Sequence, residues 1–146
     1  MSAGAAVCER CLRGYAPVRK VSSPLEAATL FKTLASRRTE ALRVAYLDSQ
    51  NQVLAVRTVS VGSLNTTRTA PREILRPAIE ANALGFILAH NHPSGSVRPS
   101  QDDIDFTRVV KRAGEMMGIS LYDHVIIAKQ KGRPLSWVSL KEEGHL

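Results

Sequence analysis

The chain has 146 residues, 44% of them hydrophobic and 5% aromatic, which suits one globular domain with a real core rather than two domains. Its two cysteines exclude a disulfide-built fold. No apolar run reaches the roughly 18 residues of a membrane span, and the N-terminus lacks the order of a secretory signal, so a soluble, cytoplasmic protein is expected.

The net charge of +7 is concentrated at the front, where residues 1 to 43 hold 8 basic and 3 acidic side chains against 12 and 10 in the remainder. Residues 1–20 are small, polar and basic without apolar periodicity, which predicts a flexible arm ahead of a domain spanning residues 21–146. Such an arm could contact DNA through its phosphates, or simply serve solubility. Its "CERC" motif (Cys8, Cys11) could offer two thiolates to a metal, but no second pair exists to complete a four-ligand site.

"SSPLEAATLFKTLA" predicts a helix over 24–35, with Ser23 as N-cap, Pro24 in the first position, Glu26 as its capping-box partner and a stripe of Leu25, Ala28 and Leu30/Phe31. Two runs rich in branched and aromatic residues, near 41–48 and 52–60, flank the turn formers "DSQNQ" and predict a hairpin. "APREILRPAIEANALG" predicts a helix with Gly85 after its end and either a kink at Pro77 or a start later than Pro71. "GFILAH" has the continuous apolar character of a strand buried on both faces, ending by His92 because Pro93 follows. From Ser100, the apolar positions Phe106, Val109, Val110, Ala113 and Met117 predict a helix of about 17 residues stopped by Gly118. "ISLYDHVIIA" predicts a further strand, and "PLSWVSL" an edge strand. The alternation implies an α/β or α+β class with a mixed sheet.

The stretch "HNHPSGSVRPSQDD" carries the chemistry. His90 and His92 alternate with Asn91 and so point to the same side of a strand end, where two imidazoles can chelate one ion. Zinc in hydrolytic sites takes three protein ligands and keeps a fourth position open. Asp103 is the candidate third ligand, because Ser100 as N-cap places it at the third position of the next helix, near the positive end of the dipole. A glutamate is a suitable base for a water molecule. Glu40 shares a face with Leu42, Val44 and Tyr46 at a strand start, where it either faces the site or is solvated.

These residues resemble the JAMM pattern of the JAB/MPN metalloproteases, His-x-His, seven residues, Ser, two residues, Asp. "LDSQNQVLAVRTVSVGSLNTT", "PREILRPAIEANALGFILAHNHPSG" and "GISLYDHVIIA" extend the likeness to the JAB domain of bacterial RadC-like proteins, over residues 22 to 142. The resemblance implies an MPN-type, cytidine-deaminase-like mixed sheet flanked by helices, Zn2+ held by His90, His92 and Asp103, Ser100 supporting the tetrahedral intermediate, and Glu40 working on a zinc-activated water. It thus implies a zinc-dependent hydrolase acting on peptide or isopeptide bonds of a protein substrate. The chain departs from the RadC-like pattern at Arg57, where an acid is common, and in lacking the helix-hairpin-helix segment that often precedes the domain. If the working acid belonged at position 57, the protein would be inactive.

Plainer readings stand beside these. Ser-x-x-Asp before a helix is also a capping box. Asp102 and Asp105 read as surface acids of the helix, His124 and Asp123 as structural strand residues, and Trp137 as packing. The literal "HNH" is not the dispersed motif of the HNH nucleases. The alternative functions are a non-catalytic or nuclease-like module associated with DNA, linked to DNA repair or mobile DNA. Loops 61–70 and 94–99 are the candidates for substrate specificity.

Overall fold

In a computed structural model of the chain, the described residues are 20–62 and 69–146. The arm up to residue 19, with Cys8 and Cys11, and most of the 61–70 loop lie outside them. Ser23 caps helix α1 (Pro24–Leu30) by accepting from Glu26 N, while the Glu26 carboxylate accepts from Ser22 N rather than Ser23 N. The helix then tightens into a 3-10 turn over Lys32–Ser36 instead of running on to 35. Three residues per turn align Phe31 with Leu34, and both are buried.

Strands β1 (Ala41–Leu47) and β2 (Val53–Val61) form the expected antiparallel hairpin. Helix α2 (Pro71–Glu80) starts at Pro71 itself and continues through Pro77. It ends at Glu80, and its stop residue is Asn82 rather than Gly85. Asn82 is left-handed (φ 54°), with Ala83 N donating to Ala78 O and Asn82 N to Ile79 O, the bonding of a Schellman stop. Gly85 instead opens strand β3 (Gly85–Asn91), where a Cβ would overlap the ring of Tyr122.

Helix α3 (Gln101–Met116) ends in the same motif at Gly118. Its buried side is Asp103, Phe106, Thr107, Val110 and Gly114, whereas Val109 and Met117 are exposed. The expected apolar stripe is therefore rotated toward residues that include an acid and a hydroxyl. Strands β4 (Ser120–Gln130) and β5 (Arg133–Ser139) complete the sheet.

The described residues form a five-stranded mixed sheet in the order β2-β1-β3-β4-β5, parallel only between β3 and β4. This is the expected α/β architecture. One face packs Leu42, Val44, Tyr46, Phe86 and Leu88 against α2 and α3. The other packs Ala45, Ile87, Ala89 and Val125 against α1 and the 3-10 turn, with Trp137 at its margin. No helix among the described residues is long and apolar enough to cross a membrane.

Phe86 pairs with Leu121, but Ile87 pairs with Asp123, so Tyr122 is an extra residue in β4. A bulge of this kind shifts the alternation of faces by one.

Candidate metal centre

Strand β3 ends at Asn91, level with Ile127 and three residues before the end of its parallel neighbour β4, so the site opens at the carboxyl edge of the parallel pair. His90 is level with Leu42 of β1 and is completely buried on the α3 face. His92 lies just past the strand, and its backbone N still donates to Ile127 O of β4. The chain then turns through Gly95, which adopts φ 89° and passes close to the Lys129 carbonyl. Gln130 donates to the Gly95 carbonyl. This turn returns the chain to α3 within reach of the histidines.

At the start of α3 the capping box is complete. Ser100 Oγ accepts from Asp103 N at 3.1 Å, and Asp103 Oδ2 accepts from Ser100 N at 2.8 Å. The cap fixes the direction of the Asp103 side chain. Its Oδ1 lies 3.2 Å from His90 Nε2 and its Oδ2 3.2 Å from His92 Nε2. The two Nε2 atoms are 2.9 Å apart.

Glu40 precedes β1, and its carboxylate approaches His92 Nε2 to 3.9 Å. Glu40, His90 and His92 each offer a ligand atom within 4.8 Å of the others, a grouping that could hold a metal ion. Arg57 is level with Val44, two residues beyond the level of His90 on β1. The acid brought to the histidines is thus Glu40. The structure brings all five sequence-predicted residues, Glu40, His90, His92, Ser100 and Asp103, to this one end of the sheet. Asp102 and Asp105 lie outside the cluster, on the exposed side of α3, with Asp105 accepting from Gln101.

The electrostatics favour a cation here. Burial works against charging Asp103, but the imidazoles of His90 and His92 beside it outweigh burial and hold the carboxyl far below the usual carboxylate range. Burial also works against an imidazolium at His92, yet Asp103, the Ser96 carbonyl and Glu40 together raise its pKa above the ordinary 6.5. The Ser96 carbonyl, 2.9 Å from His92 Nδ1, can only accept. In its neutral, metal-binding form His92 therefore carries its proton on Nδ1 and presents Nε2 to the cluster. Two ring nitrogens and a carboxylate facing one another at these separations are stabilised by a positive species between them, and an N, N, O donor set suits zinc.

Three further residues support the site: Asn91 and Thr107, to which the sequence reading gave no role, and His124, which it read as a satisfied structural residue. Asn91, between the histidines, points to the opposite face, where Oδ1 accepts from Ala41 N at 2.8 Å and Nδ2 donates to Thr39 O at 3.1 Å and more weakly to Arg37 O. Those bonds hold the backbone on both sides of Glu40, and Gly62 N donates to the Glu40 carbonyl itself. His124 is buried directly behind His90, with Nε2 2.7 Å from His90 Nδ1, and Thr107 lies beyond it. No local sequence pattern marks these residues, because a buried Asn, His or Thr is satisfied by partners that only the fold supplies. Asp123, by contrast, is structural as expected, bound by the Ser139 hydroxyl and His124 N.

Comparison with known proteins gives consistent relatives. The model of the RadC-like JAB domain family matches residues 21–145. A UPF0758 protein of Latilactobacillus sakei is 38% identical over 125 residues, which cover 86% of this chain and 54% of that protein. One from Methanosarcina mazei is 40% identical over 129 residues, covering 88% and 54%, and one from Bacillus licheniformis 46% identical over 101 residues, covering 69% and 43%. The chain spans about half the length of the curated relatives it matches.

Proposed function

The chain belongs to the RadC-like JAB domain family, and from that premise we propose that it is a zinc-dependent hydrolase of peptide or isopeptide bonds. The observation that carries the reading is the convergence of Asp103 on both imidazoles at 3.2 Å, with Glu40 standing 3.9 Å from His92. Asp103 is nearly buried and aimed by the helix cap, while Glu40 is further out and partly exposed. The former suits a ligand and the latter a group that exchanges protons with water and substrate.

His90, His92 and Asp103 would hold the metal. Bound zinc supplies Lewis acidity, which polarises a scissile carbonyl and brings the pKa of water down toward about 7. Glu40 takes a proton from the attacking water as the new C–O bond forms, and returns it to the leaving nitrogen as the C–N bond breaks. Ser100 Oγ is occupied as an acceptor by Asp103 N, which leaves its own O–H to donate to the developing oxyanion.

Elemental analysis of chelator-free protein tests the first half of this reading. About one zinc per chain is expected, and none in a His90→Ala/His92→Ala variant. A screen of fluorogenic peptide and isopeptide reporters tests the second half, with Glu40→Gln expected to keep zinc and lose cleavage. Wild-type protein that binds no zinc after reconstitution, or a Glu40→Gln variant that cleaves as fast as wild type, would overturn the corresponding half.

A further inference from the structure

His124 has no task in the mechanism above, yet it is fully buried and each of its ring nitrogens has a partner. The direction of those bonds can be worked out from one end. The Thr107 hydroxyl has a single proton, and its oxygen lies 2.6 Å from the backbone carbonyl of Asp103, which can only accept. The proton therefore lies toward that carbonyl. Thr107 Oγ1 is left to accept from His124 Nδ1, 2.6 Å away, so that nitrogen is protonated.

An imidazole sealed from water, with a hydroxyl and another imidazole as its hydrogen-bond partners, is held neutral by the cost of burying charge. His124 Nε2 then offers a lone pair, and His90 Nδ1, 2.7 Å away, supplies the proton that fills it. In neutral His90, Nε2 is then bare on the side facing His92 and Asp103.

We propose that His124 and Thr107 are positioning residues for the metal centre, forming a one-way chain of donors from His90 through His124 and Thr107 to the Asp103 carbonyl that fixes His90 in its metal-coordinating tautomer. The inference rests on the metal reading given above. What the Ser96 carbonyl does for the partly exposed His92 in one bond, this chain does for the buried His90 in three. It also closes on itself, because the residue whose backbone ends the chain is the residue whose carboxylate faces His90. Water cannot replace a missing member, since His90, His124 and Thr107 are all fully buried.

The test uses the full chain labelled with 15N-histidine, read by long-range 1H–15N spectra in the metal-free state, together with zinc affinity from competition with a chromophoric chelator. His90 and His124 are both expected to be protonated on Nδ1. Thr107→Val, which keeps the shape and removes the hydroxyl, is expected to weaken zinc binding about 10- to 100-fold, the range typical of outer-shell partners. Thr107→Ser is expected to restore binding, a rescue that packing alone would not give. Wild-type His90 protonated on Nε2 would overturn the proposal, and this readout holds even where the valine variant fails to fold. Equal zinc affinity in wild type and a folded Thr107→Val would also overturn it while leaving the metal reading intact. Zinc bound by neither protein would bring down the metal reading and this role together.

Discussion

The last residues of β3 serve different ends on the two faces of the sheet. On the α3 face, His90 and the adjoining His92 direct bare nitrogens toward each other and toward the Asp103 carboxylate, an arrangement that is incomplete without a positive charge. On the α1 face, Asn91 has its carbonyl and amide matched to backbone groups of residues 37–41. One face is built of groups that need an outside partner, the other of groups that have found theirs. The difference separates reactivity from placement within three consecutive residues, and each side can be broken alone.

The largest effect is expected from Asp103→Asn. Its amide oxygen can still accept from Ser100 N, so α3 keeps its cap, but the charge that offsets a cation is gone. Zinc should be absent from the purified variant by elemental analysis while the helical circular dichroism signal is retained. Next is Asn91→Ala, which leaves Ala41 N and the Thr39 carbonyl without their partner and should cost about 1–3 kcal/mol in chemical denaturation. Zinc should remain bound and cleavage should fall, because Glu40 loses its backbone anchor. Wild-type cleavage in that variant would show that the α1 face does not place Glu40.

A smaller loss, about 1 kcal/mol, is expected for Ser100→Ala through the missing cap. Ser100→Asp sharpens the point, since it restores the cap acceptor without a hydroxyl donor. Stability should recover and turnover should not. The mildest probe is pH. The raised pKa of His92 stabilises the metal-free fold fully below about 6.5, an advantage lost as pH rises through the folded value. The lowered pKa of Asp103 stabilises it above about 3.8, an advantage lost as pH falls toward the folded value. Melting temperatures of metal-free protein should therefore be favoured by this cluster between about pH 4 and 6.5, and zinc affinity should weaken as pH falls through the His92 value.

Local spacing made much of the site legible. His-x-His at the end of an apolar strand and Ser-x-x-Asp at a helix start are each fixed by secondary-structure periods, so the donors could be named before any fold was known. Glu40 was half legible, because a strand start tells which face a residue shares but not whether the strand end reaches a site. Asn91, Thr107 and His124 were illegible for a different reason. Apart from the Thr107 bond to Asp103, their partners lie 17 to 54 residues away, and they meet through the antiparallel β1–β3 pairing, the parallel β3–β4 pairing and the rotation of α3 that sequence periodicity misjudged. The α3 stripe erred at Val109 and Met117 because hydrophobic residues were counted as the buried side, whereas the helix turns Asp103 and Thr107 inward.

Gly85 shows how far from the donors that pairing is decided. Its missing side chain leaves room for the Tyr122 ring, and Tyr122 is the additional residue in β4. Residues along a strand are sorted between its two sides by parity, odd from even, and one added residue exchanges the two classes for everything downstream. His124 stands with Leu121 on the α3 side only because the count was changed between them. A glycine at the far end of β3 from the metal donors thus makes room for the inserted residue whose presence puts the imidazole of the neighbouring strand on the side where it partners His90.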